Sequence, residues 1–128
     1  MSYYLSRQVS LSFDQAVERV WASLAAQGFG VLTDIDVQAT MKEKLGADFR
    51  RYRILGACNP PLAHRALLAE DKIGVMLPCN VIVQEHGPGA VEVATIDPTE
   101  AMTATGNEAL RPLAKTVREK LAAALAGL

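Results

Sequence analysis

The chain opens with a period-two alternation. Tyr3, Leu5, Arg7 and Val9 face one way, and Tyr4, Ser6, Gln8 and Ser10 the other, which predicts a strand. After Leu11 the spacing changes. Phe13, Val17, Val20, Trp21 and Leu24 recur at helical intervals, while Asp14, Glu18, Arg19 and Gln27 lie off that stripe. Ser12 followed by Gln15 has the form of a capping box, in which each side chain satisfies the other's backbone donor. Gly28 supplies the left-handed residue that stops such a helix. Residues 29–35 alternate again, with Val31, Thr33 and Ile35 against Leu32 and Asp34. Asp36 then caps a short helix over 37–45, ended by Gly46.

The second half repeats this grammar. Residues 51–57 predict a strand with Arg51, Arg53 and Leu55 on one face and Tyr52, Ile54 and Gly56 on the other. Asn59 caps, Pro60 takes the first helical position, and a helix runs to about residue 70. Residues 73–84 predict one long strand. Val75, Leu77, Cys79, Val81 and Val83 point one way; Met76, Pro78, Asn80 and Ile82 point the other. Pro78 cannot donate to a ladder, so a bulge or an edge is expected there. His86-Gly87-Pro88-Gly89 is a turn, and 91–96 a strand broken by Asp97-Pro98. Residues 99–106 read as a surface loop. A closing helix over 107–126 carries Leu110, Leu113, Val117, Leu121 and Ala124 or Leu125 on one stripe, with Pro112 near its start. The last two strands must be antiparallel, which excludes a purely parallel sheet. The economical arrangement is α+β: two layers, with helices on one face of a sheet.

Length and charge narrow the classes. A chain of 128 residues is expected to be one domain with a proper core, and a net charge of −1 offers no field for nucleic acid or an anionic membrane. The N-terminal residues 1–4 lack the basic and apolar regions of a signal peptide, and no run reaches the length of a membrane span. The expected compartment is therefore the cytoplasm, where the two cysteines stay reduced.

The stretch around those cysteines carries most of the candidate chemistry. Cys58 and Cys79 are each followed by an asparagine, Asn59 and Asn80, and each Cys-Asn pair stands beside a proline. Cys58 falls at the predicted start of a helix, where the dipole and unpaired N–H groups favour a thiolate. A small buried residue at a tight junction is the competing reading. Cys79 alternates with apolar neighbours, which favours an inert buried thiol, although a bulge at Pro78 would expose it. Asn59 is accounted for as a cap, and Asn80 as a partner for backbone groups beside Pro78. His64 on the helix and His86 in the turn complete a set with both cysteines whose spacing matches no standard zinc pattern, so no metal or cofactor is expected. Arg50, Arg51 and Arg53 with Tyr52 form a small basic cluster, either a solvated face or a dock for an anion. No Ser-His-Asp set, glycine-rich phosphate loop or zinc-protease helix occurs, which speaks against an enzyme.

Four blocks together resemble the signatures of the DUF302 family: G-x-x-V-L-x-x-I-D at 28–36, L-G-A-C-N-P at 55–60, L-P-C-N-V-I-V at 77–83 and I-D-P at 96–98. The resemblance covers nearly the whole chain. It implies a single TBP-like α+β domain, a curved and mostly antiparallel sheet with helices on one face, often a homodimer, and no established activity. Genes of some members lie near those of sulfur-transfer proteins, so the resemblance adds such a protein as a candidate partner. Two readings of function follow. One is a binding or interaction module with an apolar groove near the blocks Cys58, Asn59, Cys79 and Asn80, and His64, for a small molecule or partner. The other is a thiol protein that carries sulfur or redox equivalents through Cys58.

Overall fold

The computed structural model describes residues 2–128; Met1, the first residue of the stretch read for a signal peptide, lies outside them. The elements are β1 (Tyr4–Val9), α1 (Phe13–Ala26), β2 (Gly30–Asp36), α2 (Val37–Leu45), β3 (Tyr52–Cys58), α3 (Pro60–Ala69), a 3₁₀ turn (Ile73–Met76), β4 (Cys79–Gly87), β5 (Ala90–Ile96), α4 (Pro98–Thr103), a 3₁₀ turn (Glu108–Leu110) and α5 (Arg111–Ala126). The five strands form one open sheet in the order β1-β5-β4-β3-β2, with every neighbour antiparallel. This is the α+β class that the element pattern predicts.

Burial follows the alternation. Leu55 and Ala57 of β3, Cys79, Val81 and Val83 of β4, and Val91, Val93 and Thr95 of β5 are all buried on one face. α1 covers that face with Phe13, Ala16, Val17, Val20 and Leu24, and α5 with Leu113, Val117, Leu121, Ala124 and Leu125. Fully burying each of the larger side chains contributes roughly 1.5–3 kcal/mol. On the other face, the register places Ile35, Ile54, Ile82 and Ala94 in one row across β2, β3, β4 and β5.

Local chemistry fixes the ends of the helices. Both halves of the Ser12–Gln15 capping box are made, and Gly28 takes φ +83 after α1. Asp36 caps α2, none of whose residues is buried. The last carbonyls of α5, at Leu125 and Ala126, accept from Arg7 Nη1 of β1 at 2.8 and 2.9 Å. A guanidinium at that end also complements the negative pole of the helix.

Four expectations need correction. Residues 73–84 are not one strand. Ile73–Met76 is a 3₁₀ turn and β4 begins only at Cys79. The apolar residues there fit a period of three as well as two: Ile73 is buried and Met76 packs on the core, whereas Val75 is 89% exposed. Pro78 makes no bulge; it precedes the strand, joined to Leu77 by a cis peptide bond. The irregularities fall instead at Val31/Thr33 in β2 and Glu85/Gly87 in β4. Residues 99–106 are not a surface loop, because Asp97 caps α4 and Pro98 takes its first turn, just as Asn59 and Pro60 do for α3. Finally, Trp21 lies at the edge of the α1 stripe and is 42% exposed, with Ala16 buried on the other edge.

Candidate functional site

The two Cys-Asn blocks meet at one end of the sheet. β3 and β4 are neighbours, with Ala57 opposite Cys79, so Cys58 lies one residue beyond the position opposite Cys79. Both cysteines are free thiols, Cys58 half-buried and Cys79 buried. They line the same cavity, of about 260 Å³. α3 supplies Leu62, Ala63, Ala66 and Leu67 to its wall, α4 supplies Met102, and α5 supplies Leu113 and Val117. Phe29, Leu32, Ala57, Asn59, Leu77 and Pro78 complete it. Asn59 is the one polar non-thiol residue in this lining, and no charged residue belongs to it.

Local features put these groups in place. The register slip in β2 leaves Leu32 without a strand partner between Val31, opposite Ala57, and Thr33, opposite Gly56. An unpaired bulge residue is re-aimed, and Leu32 is 67% exposed while lining the cavity, which sets it at the mouth. Gly56 is required by close packing on the other side of β3. A Cβ there would overlap Thr33 Oγ1 and lie 2.7 Å from Cγ of Pro78. The glycine thus lets Pro78, a wall residue, seat against the sheet.

The start of α3 differs from its predicted chemistry. Pro60 and Pro61 hold the first two helical positions, and neither carries an N–H. The third, Leu62, donates its N–H to Asn59 Oδ1 at 3.4 Å, and Ala63 donates to the Asn59 carbonyl at 2.9 Å. A thiolate at Cys58 is expected from the helix dipole together with unpaired N–H groups at the helix start. None of the first three helical positions has such a group. For Cys79, burial pushes the thiol up to about 11, reinforced by the neighbouring Cys58. The buried sulfur is therefore held as a neutral thiol.

The remaining candidates lie elsewhere. His64 is exposed on α3 and is not part of the cavity wall. Asn80 is exposed on the opposite face of the sheet, beside Ile82 and Tyr52. His86 Nε2 sits 3.0 Å from Glu92 Oε1. Among the described residues, no three or more His, Cys, Asp or Glu are grouped to hold a metal ion. The basic cluster is committed within the molecule. Arg51 pairs with Asp14, Arg53 pairs with Asp34, and Arg50 Nε donates to Gln84 Oε1 at 2.9 Å while covering the Phe49 and Tyr52 rings. Asp97, in the fourth block, is buried. It accepts from the Thr99 N–H at 3.0 Å, from the Thr99 hydroxyl at 2.6 Å and from Arg118 Nε at 3.0 Å. Burial alone would raise its carboxyl, but the bonds from Thr99 and Arg118 outweigh that and hold it below the usual carboxylate value.

Sequence reasoning missed Met102, because its segment read as a loop, and Leu32, because a bulge leaves no mark in an alternating pattern. The Asp97-Pro98 pair was the available signal for α4.

Comparison with known proteins agrees with this architecture. The family model for the domain of unknown function DUF302 matches residues 5–128. The chain is similar to a solved structure, the crystal structure of an uncharacterized conserved DUF302 protein from Bacillus stearothermophilus. The two share 31% identity and superpose with a TM-score of 0.92, over 99% of this chain and 98% of that one. No curated protein matches. Among the described residues, no helix is long and apolar enough to cross a membrane.

Proposed function

This chain belongs to the DUF302 family, a domain of unknown function, and from that premise we propose that it is a small binding domain whose ligand site is the cavity shared by its two Cys-Asn blocks. One observation carries the reading. Cys58 and Cys79, from adjacent strands, converge on a single apolar cavity of about 260 Å³ walled by β3, α3, α4 and α5. Protein interiors pack like organic crystals and leave few voids larger than a water. An apolar cavity with a few polar groups at its wall is the usual form of a ligand site. Its volume lies just below the range for drug-sized ligands, so the occupant is small.

The wall offers no carboxylate, imidazole or ammonium for acid–base chemistry, which favours binding over catalysis. The sulfur-carrier or redox reading keeps one support, a half-buried Cys58 in the cavity wall. It lacks helix-end donors for a thiolate, and the second thiol is held neutral. Binding is therefore the reading put forward.

The test is amide NMR of the full chain titrated with benzene, a neutral probe known to enter dry apolar cavities. Resonances of Ala63, Met102 and Val117 are expected to shift and saturate. In Ala63→Leu, which fills the cavity from α3, a dispersed spectrum with those shifts lost supports the site. Shifts confined to other regions, or unchanged in Ala63→Leu, refute it.

A further inference from the structure

Resting on the site proposed above, we infer that the ligand is electrically neutral and largely hydrocarbon, about ten carbon atoms in bulk, with a hydrogen-bond acceptor at one end at most. The size follows from volume. A dry cavity of about 150 Å³ holds the six carbons of benzene, and about 260 Å³ scales to roughly ten. Neutrality follows from three features of the wall.

No charged side chain lines the cavity, so a buried ionic group would have no counter-charge there, and an unpaired buried charge is strongly disfavoured. The helix that begins directly after Cys58 and Asn59 cannot serve an anion either. Anion sites at helix starts use free N–H groups. At α3, two prolines remove the first two donors and Asn59 Oδ1 takes the third. What remains at the half-buried end of the cavity is the amide of Asn59, whose oxygen is already engaged with Leu62, and the S–H of Cys58. Such a pair suits a carbonyl, ether or hydroxyl oxygen on the end of an apolar body; it offers a carboxylate no counter-charge and an ammonium no strong acceptor.

The test is a titration of the full chain with hexan-1-ol, heptan-1-ol, octan-1-ol, octanoate and octylammonium, followed at the amides of Ala63, Met102 and Val117. Affinity is expected to rise about fourfold for each added methylene, from a transfer free energy of about 0.8 kcal/mol. Octanoate and octylammonium are expected to bind at least about tenfold more weakly than octan-1-ol. Octanoate or octylammonium binding as tightly as octan-1-ol, through the same resonances, overturns neutrality and leaves the cavity standing as the ligand site. An affinity that stops rising before octan-1-ol overturns the size. If neither benzene nor any alcohol moves those resonances, the site itself fails, and the ligand class with it.

Discussion

Gly56→Ala puts a single methyl group where β3 has no room for one. The added Cβ would overlap Thr33 Oγ1 and lie 2.7 Å from Cγ of Pro78, both closer than real Cβ contacts allow. The two neighbours differ in how they can yield. Thr33 is exposed on β2 and can turn its hydroxyl aside, for a rotamer cost of order 0.5–1.5 kcal/mol. Pro78 has a closed ring, its peptide bond follows Leu77, and Cys79 directly after it is locked into β4, so relief there means moving backbone. Overpacking of this kind costs about 1–3 kcal/mol, and the value expected here is about 2. With urea m-values of about 1–3 kcal/mol/M for small proteins, the midpoint should fall by roughly 1 M at unchanged m. Thermal unfolding should fall by several degrees. Placing the same change in a Thr33→Ala background removes the hydroxyl overlap and leaves the proline contact. The penalty should shrink there without vanishing. A Gly56→Ala midpoint within about 0.2 M of the parent, or a penalty equal in both backgrounds, would refute the packing argument.

Two further predictions concern ionisation. The Asp97 carboxylate is held below its ordinary pKa, so it contributes stability above about pH 4 that is lost as the pH falls through its folded value. Asp97→Asn should cost about 1–2 kcal/mol at neutral pH, and the gap from the parent should close on acidification in urea melts below pH 4; a constant gap sinks the assignment. Cys79 has the opposite sign. Its folded pKa of about 11 lies above that of an unfolded thiol, so its contribution is complete below about pH 8.5 and is lost as the pH rises through 11. Cys79→Ala should flatten that alkaline loss, worth roughly 2–3 kcal/mol. In the native parent at pH 8, iodoacetamide should label Cys58 ahead of Cys79; equal labelling contradicts the burial of Cys79.

The parts of the molecule legible in the sequence are those specified within a turn or two of chain. The Ser12–Gln15 box, the Asp36 and Asn59 caps, Pro60 at the first helical position and Gly46 at a left-handed end each state a boundary in a few residues. The stripes of α1 and α5, and the alternation Cys79–Val81–Val83, identify core faces, because a fixed period brings like residues to one side. The segment 73–78 is ambiguous in this respect, since Ile73, Val75 and Leu77 fit a strand while Ile73 and Met76 fit a 3₁₀ turn. Asp97-Pro98 carried the same cap signal as Asn59-Pro60, but the polar residues after it hid α4, whose one deeply buried side chain besides Pro98 is Met102.

By itself the sequence determined the α+β class, most helix boundaries, the antiparallel β4–β5 hairpin and the two Cys-Asn blocks. Only the tertiary structure decided that β3 lies beside β4, that a slip in β2 turns Leu32 to the cavity mouth, and that Met102 and Val117 line the same cavity as the cysteines. The physical reason is range. Periodicity and capping act between residues within about a turn of each other. Strand order, register and a shared cavity depend on packing between residues that only the folded chain brings into contact.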